Sequence, residues 1–296
     1  MRRRWRHRPY IVVVGNCWHE WNPALLNSGV YQNTVGTLSA VNLGPWEVWH
    51  PDVDVVRSGY SVEDGARRFS QYVSVRRPDL LVIVRLPWEE ASWWSWLQIV
   101  AEGCQREGVA IVTLWHDLVT EGDIGLAERI APLVDGQVQI DRHLPPPNVR
   151  DPAGYLPLWT VHDPRLFYTG TWPRPWSVTC AGDWEQPTRQ RVLRYLEQQR
   201  IPCHRVGGQH ATVSLSDYAL GCRQSQMMVN TNNHPMRAQM KGHVFEALSC
   251  GVLLLEQHYE SGGTHQLLVP HSEYVPYVSD EDLVERIRYY TRHPDR

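Results

Sequence analysis

A single lysine, Lys241, stands among the 29 lysine and arginine side chains of this 296-residue chain. It opens the stretch KGHVFEALSCG, two residues ahead of His243 and five ahead of Glu246. A helix that starts near Lys241 turns its unpaired backbone N–H groups and the positive end of its dipole toward any anion in front of it. The lysine adds a compact point charge to that end. Glu246 lies one and a half turns on, away from Lys241 but next to His243 at the i+3 position. The residues around it, FEALSCGVLLL, are largely apolar, and an acid in apolar surroundings requires a partner. The competing reading makes Lys241 and Glu246 surface residues of an amphipathic helix.

Other residues of the right type fall where strands are expected to end. ESGGTHQLL supplies Gly262, Gly263 and Thr264 ahead of a short helix. Glycines there let backbone N–H groups approach an anion closely, although a plain surface turn reads the same way. In the first half, Asn16, His19 and Glu20 follow the apolar run YIVVVG, and His116 and Asp117 follow VAIVTLW. Active-site residues collect at such positions, but each of these side chains can also cap the next segment. The polar, glycine-containing stretch NSGVYQNTVGT is a candidate pocket lining. Walker A, GxGxxG, GxSxG and HExxH patterns are absent, which removes the usual support for P-loop, hydrolase and metalloprotease readings.

The elements that must position these residues alternate. YIVVVG (10–15), WEVWHPDVDVV (46–56), DLLVIVRLP (79–87), VAIVTLWHD (109–117) and GQVQID (136–141) hold strand candidates. Between them lie helix patterns at 61–78, with Ser61 as N-cap and Pro78 beyond its end, at 92–108, and at 124–135. Apolar strands alternating with helices argue for a parallel sheet covered on both faces. Residues 142–176 are proline-rich and aperiodic, which reads as an interdomain crossing. The alternation then restarts, with helices expected at 187–199, 241–250 and 279–293 and strands in WSVTCAG, PCHRVGG, MMVNTN and VLLLEQ. The expected fold class is α/β, with two Rossmann-like domains, 1–155 and 156–296, facing across a cleft where open sheets bind ligands.

Residues 156–296 resemble the carboxyl-terminal half of the CgeB-like (spore maturation protein) glycosyltransferases, relatives of the group 1 transferases with the GT-B fold. Five segments carry the resemblance in order: LPLWTVHDPRLF, VTCAGDWEQPTRQRVLRYL, SLSDYALGCRQSQMMVNTN, KGHVFEALSCGVLLLE and HSEYVPYVSDEDLVERIRYYTRHPDR. The resemblance implies that the second domain binds a nucleotide sugar and that the first receives the acceptor. It implies a diphosphate near Lys241 and His243, and ribose hydroxyls on Glu246. Arg189, Asn232, Gly262, Gly263 and Thr264 are the further donor-binding candidates, with Arg189 either reaching a phosphate or solvating its own helix. His243 stands where the family has arginine, so a titratable imidazole replaces a fixed positive fork.

Transfer to a hydroxyl needs a general base if the enzyme inverts, and His116, Asp117, His19 and Glu20 are the candidates. A retaining enzyme relies more on the leaving phosphate and positioned dipoles. The nucleotide sugar, UDP- or GDP-linked, is a co-substrate; the resemblance implies no bound cofactor and no metal, and the DVD pair Asp52 and Asp54 sits far in sequence from the donor segment. The acceptor is a glycan, a protein, a small molecule or a modified nucleic-acid base. A sugar-nucleotide epimerase and a non-catalytic nucleotide-sugar module are the alternatives. The family's chain crosses back to its first domain, whereas this sequence, a compact variant or a fragment, stops at Arg296; a mobile interdomain angle is expected if nothing replaces that crossing.

Composition sets the outer bounds. The net charge of −3 gives no whole-protein case for nucleic-acid binding. No run of eighteen apolar residues and no signal-peptide core is present, so no membrane span is expected, and the basic start MRRRWRHRPY reads as a solvated arm. The six cysteines are scattered without a CxxC pair, as buried thiols of a cytoplasmic protein are. Most of the 14 tryptophans are expected in the core, including Trp93, Trp94 and Trp96.

Overall fold

The computed structural model describes residues 8–15, 18–19, 22–26, 36, 38–39, 44–51, 58–84, 90–115, 121–139, 155–157, 162–182, 186–207, 213–231, 240, 242–258 and 264–295. The chain forms two compact units, Met1–Ile140 with Val149–Trp159, and Asp141–Asn148 with Thr160–Arg296.

In the first unit, strands β1 (Ile11–Val14), β4 (Trp46–Trp49), β5 (Leu80–Val84), β6 (Ala110–Trp115), β7 (Gly136–Gln139) and β8 (Tyr155–Pro157) form one sheet. Their order is β4-β1-β5-β6-β7-β8, and every pairing is parallel. All four residues of β1 are buried, as expected of a parallel strand covered on both faces. Helices α1 (Val62–Arg76), α2 (Glu90–Glu107) and α3 (Glu121–Ile130) connect the strands. Ser61 caps α1 by accepting the Asp64 amide at 3.0 Å. Phe69 of α1 stacks on Trp96 of α2 at 5.5 Å, and both lie in the core with Ile83 and Leu97. Of the tryptophan cluster, Trp93 and Trp96 are buried and Trp94 packs half-buried against the same core. Gln137 joins two elements: it accepts from the Trp115 indole at 2.9 Å and donates to the Ala127 carbonyl at 2.9 Å.

Three expectations change here. His19 was expected in a loop after β1, yet it belongs to a two-residue strand, β2 (Trp18–His19), paired antiparallel with β3 (Asn22–Leu26). The helix expected over 124–135 starts at Glu121 and ends as a helix at Ile130, tightening into a 3-10 turn, Ala131–Leu133. Pro132 lacks the N–H that a further α turn needs. Finally, the aperiodic stretch 142–176 contains β8, a three-residue edge strand ending in proline. Edge strands tolerate proline because one side of the strand has no ladder to feed.

The second unit has a five-stranded parallel sheet in the order β10-β9-β11-β12-β13. Its strands are β9 (Trp176–Ala181), β10 (His204–Val206), β11 (Ser225–Asn230), β12 (Leu253–Gln257) and β13 (Val275–Tyr277). Helices α4 (Pro187–Gln198), α5 (Leu215–Arg223), α6 (Gly242–Ser249), α7 (Thr264–Leu267) and α8 (Asp280–Arg292) lie between and after them. Val178, Leu196, Met227, Leu255 and Leu283 are in its core. The strand β13 escapes the sequence pattern because Pro276 interrupts it; it too is an edge strand.

Helix α6 is stopped firmly. Gly251 takes φ +64°, its amide donates to the Leu248 carbonyl at 2.9 Å, and the Val252 amide donates to the Ala247 carbonyl at 3.0 Å. This is the Schellman arrangement that a glycine beyond a helix end permits. Arg174 then ties that end to the sheet by donating to the carbonyls of Cys250 (2.9 Å), Gly251 (2.7 Å) and Ser225 (3.1 Å).

Candidate functional site

The chain order of the second sheet reverses at β9: β10 lies on one side of it and β11 on the other. Ligands of open α/β sheets bind outside the carboxyl ends of the strands at such a reversal. The residue that follows β9 is Gly182, with φ +96°, a conformation suited to glycine. Its amide donates to the Val206 carbonyl at 2.9 Å. A Cβ at Gly182 would sit 3.0 Å from His243 Nε2 and 3.1 Å from Arg189 Nη1. Two cation-forming side chains from two helices therefore converge on one glycine, and the missing side chain leaves them room.

Arg189 reaches this point from the first turn of α4, which opens with Pro187 at N1. It is only 6% exposed, which overturns the reading of Arg189 as a residue that solvates its own helix. His243 comes from the first turn of α6 with a quarter of its side chain exposed. Behind it, Glu246 is 5% exposed, so the surface-helix reading does not hold for this acid. Its Oε2 lies 3.1 Å from His243 Nδ1, which realises the i+3 neighbourhood expected from the sequence.

A third side chain completes the group. Tyr218, buried on α5, donates its hydroxyl to Glu246 Oε2, and the same hydroxyl oxygen lies 2.6 Å from His243 Nδ1. Burial, followed by the adjacent Glu246 charge, holds the Tyr218 phenol well above its ordinary value, so it remains protonated and able to donate. With Nδ1 facing two oxygens, the imidazole proton belongs on Nδ1, and Nε2 faces Gly182. Sequence reasoning passed over Tyr218. Its one available signal was a tyrosine inside an apolar helix, where a hydroxyl must find a partner.

A second polar cluster lies at the ends of β11 and β12. Asn230 and Glu256 are register partners on these strands, and Asn230 Nδ2 donates to Glu256 Oε2 at 2.8 Å. Thr264, at the start of α7, donates to Glu256 Oε1 at 3.4 Å, and the Tyr277 hydroxyl donates to the Asn230 carbonyl at 2.9 Å. Burial pushes the Glu256 carboxyl up from 4.5 to about 8, with the Asn230 and Thr264 bonds pulling the other way. The acid is therefore neutral at pH 7. Asn230 Oδ1 and Thr231 Oγ1 are buried here without a hydrogen-bond partner. Glu256 was read only as the end of an apolar strand; an acid closing LLLE was the signal.

Of the donor-binding candidates, Arg189, His243 and Glu246 thus form one group, while Thr264 contacts Glu256 in the second one. Lys241, Asn232, Gly262 and Gly263 lie outside the described residues, as do Glu20, His116 and Asp117 among the catalytic candidates. His19 lies in β2 of the first unit. Among the described residues, no group of three or more His, Cys, Asp or Glu side chains is placed to hold a metal ion, and no helix is long and apolar enough to cross a membrane. Cys104, Cys180, Cys222 and Cys250 are buried free thiols, and Cys203 is a half-buried one.

Comparison with known proteins bears on the second unit above all. Residues 176–296 match the family model described as "Glycosyl transferase-like", so this unit carries a glycosyl transferase-like domain. No curated protein sequence matches the chain. Among solved structures, Anabaena Alr3699/HepE in complex with UDP and glucose is similar with a TM-score of 0.59 and 11% identity, over 96% of this chain and 90% of that one. The same protein in complex with UDP-glucose gives a TM-score of 0.56 at 10% identity, over 97% and 91%. A glycosyltransferase from Rickettsia africae ESF-5 gives 0.56 at 10% identity, over 96% and 88%. At such identities the likeness is one of fold, and the fold, two parallel α/β sheets in one chain, is GT-B.

Proposed function

We propose that this chain is a glycosyltransferase that moves a sugar from a nucleotide diphosphate donor, UDP- or GDP-linked, to a hydroxyl acceptor. The observation that carries the reading is the convergence of Arg189 and His243 on Gly182, backed by buried Glu246, inside the segment that matches the glycosyl transferase-like family. In such a transfer the bond from the sugar's anomeric carbon to the diphosphate breaks while the acceptor oxygen bonds to that carbon. Negative charge then builds on the leaving phosphate. The Arg189 guanidinium beside the phosphates is proposed to stabilise that charge without a metal ion, with Lys241 as a second cation and His243 as a further contact. Glu246, with one oxygen held by Tyr218 and His243, is proposed for the ribose hydroxyls.

His116, Asp117, His19 and Glu20 remain the proposed sources of a base for the acceptor hydroxyl. The acceptor is proposed as a glycan, protein, small molecule or modified nucleic-acid base, and the order of the five carboxyl-terminal segments favours a CgeB-like member. The five described cysteines are free thiols, which supports the proposal of a cytoplasmic enzyme.

The test is a panel of UDP- and GDP-sugars screened by thermal shift and mass spectrometry. A true donor at about one hundred times its Kd stabilises the fold by about 2.7 kcal/mol. Free nucleotide released in step with a glycosylated acceptor establishes transfer. Glu246→Ala and Lys241→Ala are expected to weaken donor binding by about tenfold or more. Absence of stabilisation by every donor sinks the proposal, and unchanged binding in both variants shows the nucleotide has been put in the wrong place.

A further inference from the structure

We propose that Cys203 and Cys180 form a redox-active pair: a hydroperoxide oxidises Cys203, and Cys180 then closes a reversible disulfide that ties the start of β10 to β9. This site goes beyond sugar transfer and does not depend on where a donor binds. Its placement follows from the sheet. Arg205 of β10 is the register partner of Cys180 on β9, and side chains two apart along an extended strand share a face. Cys203 therefore stands on the Cys180 side of the sheet. Both belong to the core that α4 covers: Cys180 is buried within it, and Cys203 packs half-buried against it. The two thiols meet there, since the Cys180 S–H donates to the Cys203 sulfur, which also lies against the Cys180 backbone amide. The first ladder pair between the strands is His204 with Thr179, so Cys203 stands just outside the ladder and its backbone can follow the sulfur.

The two sulfurs differ in access and in charge. Cys203 lines a surface cavity of about 530 Å³ together with Glu197 of α4, Arg200, Pro202 and Arg205, all four of which are exposed. Cys180 is 1% exposed and has no such opening. The hydrogen bond from Cys180, against the effect of burial and with the Arg205 guanidinium assisting, holds the Cys203 thiol below its ordinary value. The same bond and then burial hold Cys180 well above its own. Cys203 is thus the attacking sulfur and Cys180 the resolving one, the pairing that redox-sensing thiols use. The other described cysteines are worse nucleophiles: burial pushes Cys104 up to about 12 and Cys250 up to about 11, and holds Cys222 well above its ordinary value.

The chemistry balances in two steps. The Cys203 thiolate attacks the hydroxyl-bearing oxygen of the hydroperoxide; the O–O bond breaks, a sulfenic acid forms, and the departing oxyanion takes up the proton that Cys203 had released. The Cys180 sulfur then attacks the sulfenic sulfur, the S–O bond breaks, and hydroxide leaves with the Cys180 proton as water. The two thiols lose two electrons, the hydroperoxide gains them, and the products are a disulfide, an alcohol (water when the oxidant is hydrogen peroxide) and water. An external dithiol reverses the bond by exchange and becomes the disulfide itself.

The experiment treats the reduced full chain with an equimolar amount of hydrogen peroxide, alkylates the remaining thiols in urea and maps tryptic peptides without reductant. Trypsin places the two cysteines on separate peptides, 166–189 and 201–205, each with a single cysteine. A linked pair two hydrogens lighter than the sum of those peptides identifies the bond. It is expected as the main disulfide product and is expected to be lost on treatment with dithiothreitol, while Cys104, Cys222 and Cys250 are recovered alkylated. In Cys180→Ser, Cys203 is expected to stop at the sulfenic acid and to be captured by dimedone. In Cys203→Ser, both the link and the dimedone adduct are expected to be lost, with Cys180 recovered alkylated. Circular dichroism checks that both variants fold, and the wild-type peptide map decides the question without them. Recovery of both cysteines alkylated after peroxide overturns the proposal. So does a bond from either of them to another cysteine, and so does Cys203 oxidised to the sulfinic acid beside a still-reduced Cys180.

Discussion

Replacing Glu256 with glutamine tests the second polar cluster most directly, because the carboxyl is buried and its proton is linked to folding. The ordinary value of this acid is 4.5, and burial raises it to about 8 in the folded chain. Between those two values the native state holds a proton that the unfolded chain has released. Stability from this group is therefore greatest at acid pH and is lost progressively as pH rises from 4.5 to 8. Above pH 8 both states are ionised and the loss is complete, at most about 5 kcal/mol. About 3 kcal/mol of that falls between pH 6 and pH 9.

Glutamine keeps the shape, accepts from Asn230 Nδ2 and can donate to Thr264 Oγ1, but it does not titrate. Urea denaturation of wild type and Glu256→Gln at pH 6 and pH 9 gives four stabilities, and titration of all other groups cancels in their double difference. The variant is expected to be the more stable form at pH 9, with its advantage about 3 kcal/mol larger there than at pH 6. Parallel pH profiles of the two proteins would refute the reasoning, since Glu256 would then be ionised or solvated in the native state.

Two further substitutions probe the frame of the site. Gly182→Ala forces a side chain into φ +96° and against His243 Nε2 and Arg189 Nη1, so it is expected to cost about 1–3 kcal/mol of stability and to weaken donor binding more than tenfold. Calorimetry with the donor checks this, and wild-type affinity would show that the two tips do not converge there. Arg174→Ala removes the donor shared by the carbonyls of Cys250, Gly251 and Ser225, and is expected to cost about 2–4 kcal/mol in urea denaturation. A loss below about 0.5 kcal/mol would mean that water replaces the guanidinium at no cost.

Much of the framework was legible in the chain because its signals are local. Ser61 caps α1 and Ser279 caps α8, each three residues ahead of the amide it accepts, and the apolar runs 11–14, 80–84 and 253–257 are strands. The His243–Glu246 contact is also local, since i and i+3 meet on any helix. The misses have two sources. β8 and β13 are short and contain proline, so their strand character depends on an unpaired outer side that only the finished sheet supplies. β2 and β3 form a hairpin too short for a periodicity to register.

The site itself divides along the same line. The sequence by itself determined the residue types, the helix that carries His243 and Glu246, and the glycine and arginine that flank the start of α4. Only the tertiary structure decided that Arg189 is buried, that its tip and that of His243 share one glycine, and that Tyr218 from another helix dictates which imidazole nitrogen faces outward. It also decided that Glu256 is neutral, by pairing it across β11 with Asn230 in a dry interior. The physical reason is range. Caps, turns and i+3 contacts are settled within a few residues, whereas burial and the charge states it enforces depend on which strands and helices come together from distant parts of the chain.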